Sequence, residues 1–267
     1  MSVTPSQLQA LLPRVHEVAR DAGDIAMRFF RSGAATTARI WAKTGGSPVT
    51  EADVAVDTFL KIRLSALVPQ AAWLSEETAD EPRRLGRDLV WIVDPIDGTR
   101  AFLAGSHDWS IAIALLSDGI PVLGIVHVPA HDCLYDGVAG AGARKDGVPI
   151  AVSSVQDIST AGVAGPAPFV DRLARGREGV RRLPRIPSLA LRIVRVAEGA
   201  VDLGLISSDA RDWDIAAADV VLREAGGELF DFRGDPPLYN QPDPVHGELA
   251  ATPARLKASL IAAIKSG

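Results

Sequence analysis

Val90-Trp91-Ile92-Val93-Asp94-Pro95-Ile96-Asp97-Gly98-Thr99-Arg100-Ala101-Phe102 is the most informative segment of the chain. An apolar run of strand length ends in a carboxylate, turns at a proline and offers a second carboxylate three residues on. Gly98 and Thr99 then open what reads as a short helix. Carboxylates at a strand terminus can converge on one point, which suits a hard cation taking oxygen ligands. The N–H groups around Gly98 and Thr99 suit a phosphate at a helix start. Taken alone, the D-x-x-D pair is more simply a turn at Asp94-Pro95 with Asp97 as a helix cap.

The flanking sequence supplies the frame. Upstream, Leu8, Leu11, Val15, Val18, Ala22, Ile25 and Phe29 recur at helical spacing, which predicts an amphipathic helix from about Pro5 to Arg31. Lys43-Thr44-Gly45-Gly46-Ser47-Pro48 is rich in turn formers, and Thr50 is a candidate N-cap for a helix reaching Leu67. Strands are predicted at Ala72–Ser75, Leu89–Val93, Ser110–Leu116 and Val122–Val128, with turns at Asp118-Gly119 and Asp146-Gly147. This is the pattern of a largely antiparallel sheet. Beyond Ser153 the rhythm alternates. Helices are expected near Phe169–Arg175, Ser188–Glu198 and Trp213–Ala225 and from Pro253, with strands at Leu183–Ile186, Val201–Ile206 and Glu228–Phe232. Such alternation predicts a second α/β layer.

Composition narrows the function classes. A formal charge of −5 and a sequence pI near 5.6 show no basic footprint for bulk nucleic acid. An acidic protein that handles phosphate esters needs local positive charge. Cys133 is the single cysteine, so neither an intrachain disulfide nor a thiolate metal cluster is expected, and a reducing cytoplasm fits best. The first residues lack a basic segment followed by an unbroken apolar stretch, so no secretory signal is expected. Nor does any run of about 18 apolar residues predict a membrane span. His107, His127 and His131 lack zinc-ligand spacing.

Further acids have two readings each. Glu76, in Ser75-Glu76-Glu77 after a predicted strand, can reach the same cation or belong to a solvated pair. Asp214, in Asp212-Trp213-Asp214-Ile215-Ala216-Ala217-Ala218-Asp219, is a ligand or a favourable charge at a helix start. Thr50 and Asp53 likewise fit a capping role.

Together, K-T-G-G-S-P-V-T-E-A-D (Lys43–Asp53), S-E-E (Ser75–Glu77), W-I-V-D-P-I-D-G-T (Trp91–Thr99) and W-D-I-A-A-A-D (Trp213–Asp219) resemble, in content and order, the inositol monophosphatase superfamily. The resemblance implies an α/β fold, a layered αβαβα sandwich of the inositol monophosphatase / fructose-1,6-bisphosphatase type. It implies an N-terminal α+β lobe over residues 1–152, with the antiparallel sheet and most metal ligands. A C-terminal α/β lobe over 153–267 would supply Asp214 and substrate contacts. Two or three Mg2+ ions are implied, held by Glu76, Asp94, Asp97 and Asp214 and by the Ile96 carbonyl, with sensitivity to lithium. Thr99, backed by Asp53, would take a proton from a water carried at Glu76. Asp97, Gly98, Thr99, Arg100, Ser188 and Asp214 would contact phosphate or substrate. A homodimer is implied by resemblance alone.

The substrate is less determined. In the inositol-specific branch D-G-T is usually followed by Thr-Asn, whereas this chain has Arg100-Ala101, and a glutamate expected upstream of W-D is replaced by Ile206. The D-G-T-[RK]-x-F form resembles nucleotidase and histidinol-phosphate branches. The glycine at 45 departs from the acid of the nucleotidase form. Arg172, Arg175, Arg177, Arg181, Arg182 and Arg185 form a basic stretch that is either a solvated face or a lure for a doubly phosphorylated nucleotide. The expected activity is Mg2+-dependent phosphomonoester hydrolysis, with 3′-phosphoadenosine 5′-phosphate the leading small-molecule substrate. Inositol 1-phosphate, histidinol phosphate and fructose 1,6-bisphosphate remain open, as does a regulatory member of the same fold that acts through protein partners.

Overall fold

A computed structural model describes residues 3–42 and 48–266; the turn-rich segment at 43–47 lies outside the described residues. Helix α1 (Pro5–Met27) starts on a capping box in which Gln7 N–H donates to Thr4 Oγ1 and the Gln7 side chain accepts from Thr4 N–H. It ends four residues before the expected Arg31. Strands β1 (Ile40–Ala42) and β2 (Pro48–Thr50) pair antiparallel and lead into α2 (Glu51–Leu67), where Thr50 and Asp53 form a second capping box.

β3 (Ala72–Ser75) runs parallel to β4 (Leu89–Asp97). After α3 (Thr99–Leu103), an antiparallel meander follows: β5 (Ser110–Ser117), β6 (Ile120–Val128), β7 (Cys133–Val138), β8 (Gly142–Lys145) and β9 (Val148–Pro149). These seven strands form one sheet in chain order. The C-terminal part contributes β10 (Gly162–Ala164), α4 (Ala167–Ala174), β11 (Arg181–Arg182), α5 (Leu189–Ala197), β12 (Leu203–Ile206), β13 (Ala210–Arg211), α6 (Asp212–Glu224), β14 (Gly227–Asp231), β15 (Val245–His246), β16 (Leu249–Pro253) and α7 (Lys257–Ser266). Five of its strands make a second sheet in the order β11-β10-β12-β16-β14.

Side-chain alternation shows how the layers stack. On β4, Trp91 and Val93 join a core with Leu8, Val15 and Ala19 of α1 and Val56, Leu60 and Leu64 of α2. Val90 and Ile92 face the other way and join Leu191 and Val194 of α5 and Ile215 and Ala218 of α6. The outer face of the five-stranded sheet packs Val163, Leu205 and Phe230 against Val170 of α4 and Leu260 of α7. The order is therefore helix, sheet, helix, sheet, helix. A sheet covered on both faces explains why β4 and β5 read as unbroken apolar runs.

Three expectations need correction. The strand placed at Leu183–Ile186 lies two residues earlier, at Arg181–Arg182, and Leu183 N–H makes one last bond to Val163 C=O at 2.9 Å. Pro184 has no N–H with which to continue the ladder. The last helix starts at Lys257, because Leu249–Pro253 pairs with both β12 and β14. β1, β2, β7, β8, β9, β10, β13, β15 and β16 were not expected. Among the described residues, no helix is long and apolar enough to cross a membrane.

Candidate active site

β4 carries the first two acids. Residues three apart in a regular strand face opposite sides, yet Asp94 and Asp97 face one cleft because the β4–β5 register slips between them. Asp94 pairs with Ala112 and Asp97 with Ser110, so three steps on β4 match two on β5. This bulge brings both carboxylates to one side. Gly98 then turns the chain with φ +91° to cap α3; a Cβ there would meet Asp108 O at 3.2 Å and Ser188 Cβ at 3.3 Å. Asp214 arrives from the first turn of α6, its Oδ2 accepting from Arg211 N–H at 2.7 Å. One oxygen each from Asp94, Asp97 and Asp214 lies within 4.8 Å of the others. Glu76, just past β3, lines the same cleft of about 220 Å³, as do Gly98, Thr99 and Arg100.

Asp97 is the most heavily supported. Its Oδ2 accepts from the Ser188 hydroxyl and from Ala190 N–H at 2.7 Å, and its Oδ1 from Leu189 N–H at 3.1 Å. Ser188 caps α5 through Leu191 N–H and also meets the Ser110 hydroxyl at 3.0 Å. Ser188 is wholly buried behind Asp97 and is not among the residues lining the cleft. On the opposite side, Thr99 Oγ1 lies 3.4 Å from Asp53 Oδ1 and 3.1 Å from Ile96 O. Asp53 Oδ2 is held by the Thr50 hydroxyl at 2.6 Å and by Thr50 N–H at 2.8 Å. The α2 cap therefore aims one oxygen of Asp53 at Thr99.

Burial raises the Asp97 pKa to about 6; hydrogen bonds from Ser188, Ala190 and Leu189 oppose the rise and Glu76 adds to it. Asp94 is pushed well above the usual carboxylate range by burial, then by Glu76, Asp97, Asp214 and Asp53. Asp214 is raised by burial and Asp97, against the Arg211 N–H. Buried carboxylates that repel one another are stable as anions only beside compensating positive charge. The donor set is carboxylate, with no thiol or imidazole in the group among the described residues, which fits a hard divalent cation.

Sequence reasoning missed Ser110, which no local pattern marks. It treated six arginines as one basic stretch, yet only Arg185 lines the cleft. Four of the others have partners elsewhere: Arg181 pairs with Asp202, Arg182 with Asp171, Arg172 donates to Ile264 O and Arg177 to Leu173 O. Ile206 is fully buried in β12.

Comparison with known proteins gives a consistent result. Residues 8–266 match the inositol monophosphatase family. The 3′(2′),5′-bisphosphate nucleotidase CysQ of Aggregatibacter actinomycetemcomitans is 33% identical over 241 residues, covering 86% of this chain and 88% of the relative. A histidinol-phosphatase of Mycobacterium tuberculosis is 36% identical over 211 residues, covering 73% and 78%. The solved IMPase of Thermotoga maritima superposes with a TM-score of 0.82 at 27% identity, covering 96% of each chain.

Proposed function

The chain belongs to the inositol monophosphatase family and is a phosphatase, and we propose that it is a Mg2+-dependent 3′(2′),5′-bisphosphate nucleotidase acting on 3′-phosphoadenosine 5′-phosphate. The convergence of Asp94, Asp97 and Asp214 carries the catalytic part of this reading. Those three, with Glu76 and the Ile96 carbonyl, are the groups that would hold the cation. Magnesium bound there would supply charge to the phosphate oxygens and lower the pKa of water. A proton leaving the attacking water has a path through Thr99 Oγ1 to Asp53. Gly98 and Thr99, at the start of α3, would flank a bound phosphate, and Arg100 beside them lines the same cleft.

The choice of substrate is supported by the similarity to the CysQ nucleotidase and by the cationic groups on the rim. Arg100 and Arg185 both line the cleft, and neither side chain makes a hydrogen bond or ion pair with the described residues. Arginines placed this way disfavour histidinol phosphate, whose leaving group carries an ammonium. The apolar burial of Ile206 removes one acceptor for inositol hydroxyls.

Phosphate release with Mg2+ from adenosine 3′,5′-bisphosphate, inositol 1-phosphate, histidinol phosphate and fructose 1,6-bisphosphate tests the assignment. The nucleotide is expected to have the highest kcat/KM. A higher value for any of the other three overturns it.

A further inference from the structure

Away from the acidic cleft, a cavity of about 330 Å³ is lined by the end of α2, the edge strand β3 and the 3₁₀ turn at Pro82–Gly86 that leads into β4. It shares no lining residue with the cleft. Lys61, Ser65 and Gln70 face it from α2 and the loop beyond, and Arg83, Arg84 and Arg87 from the turn and its end. A space of this size holds a small ligand. Glu81 is the one acid in the lining.

The four cations are not equivalent. Arg84 is 1% exposed and fully engaged. Its Nε and Nη2 donate to Asp80 at 2.6 and 2.9 Å, its Nη1 to Asn240 Oδ1 at 2.7 Å, and its Nη2 also to Gln241 O at 2.9 Å. Arg83, at the exposed rim, pairs with Glu81. Among the described residues, neither the Lys61 nor the Arg87 side chain makes a hydrogen bond or ion pair. Two positive charges thus stay uncompensated on one concave wall. Cations scattered over a convex surface are ordinarily just solvated. Cations of one sign that converge on a hollow focus the field and concentrate an anion there. Lys61 is also half-buried, which makes an anionic partner worth more than it is in open water.

The cleft has the opposite field. Its buried carboxylates repel an anion until a cation is bound, whereas Lys61 and Arg87 need no metal to attract one. We propose that the cavity between α2 and the 82–86 turn is a metal-independent binding site for a small phosphate-type polyanion, held by Lys61 and Arg87 with Ser65 and Gln70 as neutral donors. Arg84, anchored by Asp80 and by the 240–241 loop, keeps the floor positive and fixed. Glu81 is occupied by Arg83, so the cavity offers no free carboxylate as a base. The site binds its ligand and does not cut it.

Calorimetric titration of sodium pyrophosphate into the full chain, in EDTA at physiological salt, reads this site while the cleft is metal-free. One-to-one binding with a Kd below about 1 mM is expected. Lys61→Gln and Arg87→Gln should each weaken it about tenfold or more, and the double variant should lose it. Lys61→Arg keeps the charge and should keep most of the affinity. Neither charge has a partner in the fold, so the Tm of the two glutamine variants without ligand should match wild type. Arg100→Gln with Arg185→Gln, which alters the cleft alone, should leave binding in EDTA unchanged. Absence of saturable binding overturns the proposal. So does binding that survives the Lys61→Gln, Arg87→Gln double variant, or binding that is lost with Arg100 and Arg185 instead.

Discussion

Asp97 combines burial, repulsion from neighbouring acids and hydrogen bonds from Ser188, Ala190 and Leu189, and its pKa near 6 is the resultant. Because the folded value lies above the ordinary 3.8, the group favours folding at low pH, and that contribution is lost as pH rises through about 6. Asp94 and Asp214 are raised as well, so they act in the same direction. Metal-free protein should therefore lose stability between about pH 4 and neutrality. The rise in Tm on adding Mg2+ should grow over the same range, since the cation competes with protons for the same oxygens. A Mg2+-induced shift that is largest at pH 5 would contradict this. Ser188→Ala removes one bond that holds the Asp97 pKa down, so it should move the acid limb of the kcat/KM profile to higher pH. The lost bond to a charged group and the lost helix cap should together cost roughly 2–4 kcal/mol of stability. A variant with lower stability but an unmoved acid limb would leave Ser188 a cap only.

At the scale of elements, the site depends on how closely α6 approaches the sheet. Gly124 of β6 and Gly137 of β7 are direct partners in the ladder. A Cβ on Gly124 would meet Ala217 O at 2.1 Å, and one on Gly137 would meet Val221 Cα at 2.8 Å. This glycine pair lets α6 lie flat on the sheet and bring Asp214 toward β4. Gly124→Ala should lower stability by about 1–3 kcal/mol through overpacking. It should also raise the Mg2+ concentration needed for half-maximal turnover, because displacing α6 displaces Asp214. Gly86→Ala, where a Cβ meets nothing within 4 Å, is the matched control and should change neither. The same packing explains part of what was hard to read. β7, Cys-Leu-Tyr-Asp-Gly-Val, breaks the apolar pattern of a strand with Asp136 and Gly137. Asp136 is buried 3.4 Å from His16 of α1, and Gly137 admits α6. β16, Leu-Ala-Ala-Thr-Pro, reads as the approach to a helix, yet its small residues suit a strand covered on both faces.

For the whole molecule, five alternating layers bring together acids that lie from position 76 to 214 of the chain. The acids themselves were legible because each sits at a recognisable boundary: the end of β3, the end of β4, the start of α6. Their order along the chain added what no single one conveyed. The bulge that turns Asp94 and Asp97 to one side was not legible, since it is a matter of register with β5. Nor was the distinction between Arg185 and its neighbours in the basic stretch, which only the packing of the segment before α5 against the cleft creates. The proposed function expects a cation to complete the cleft where Asp94, Asp97 and Asp214 converge. Calorimetric titration of Mg2+ into metal-stripped wild type and Asp97→Asn, with phosphate release followed in the same samples, tests this most directly. Wild type should bind Mg2+ with release of protons and recover turnover. Asp97→Asn should stay folded, bind Mg2+ far more weakly and fall at least about a thousandfold in rate. Stripped wild type that keeps its rate, or an Asp97→Asn variant that binds Mg2+ as tightly as wild type, would contradict the account.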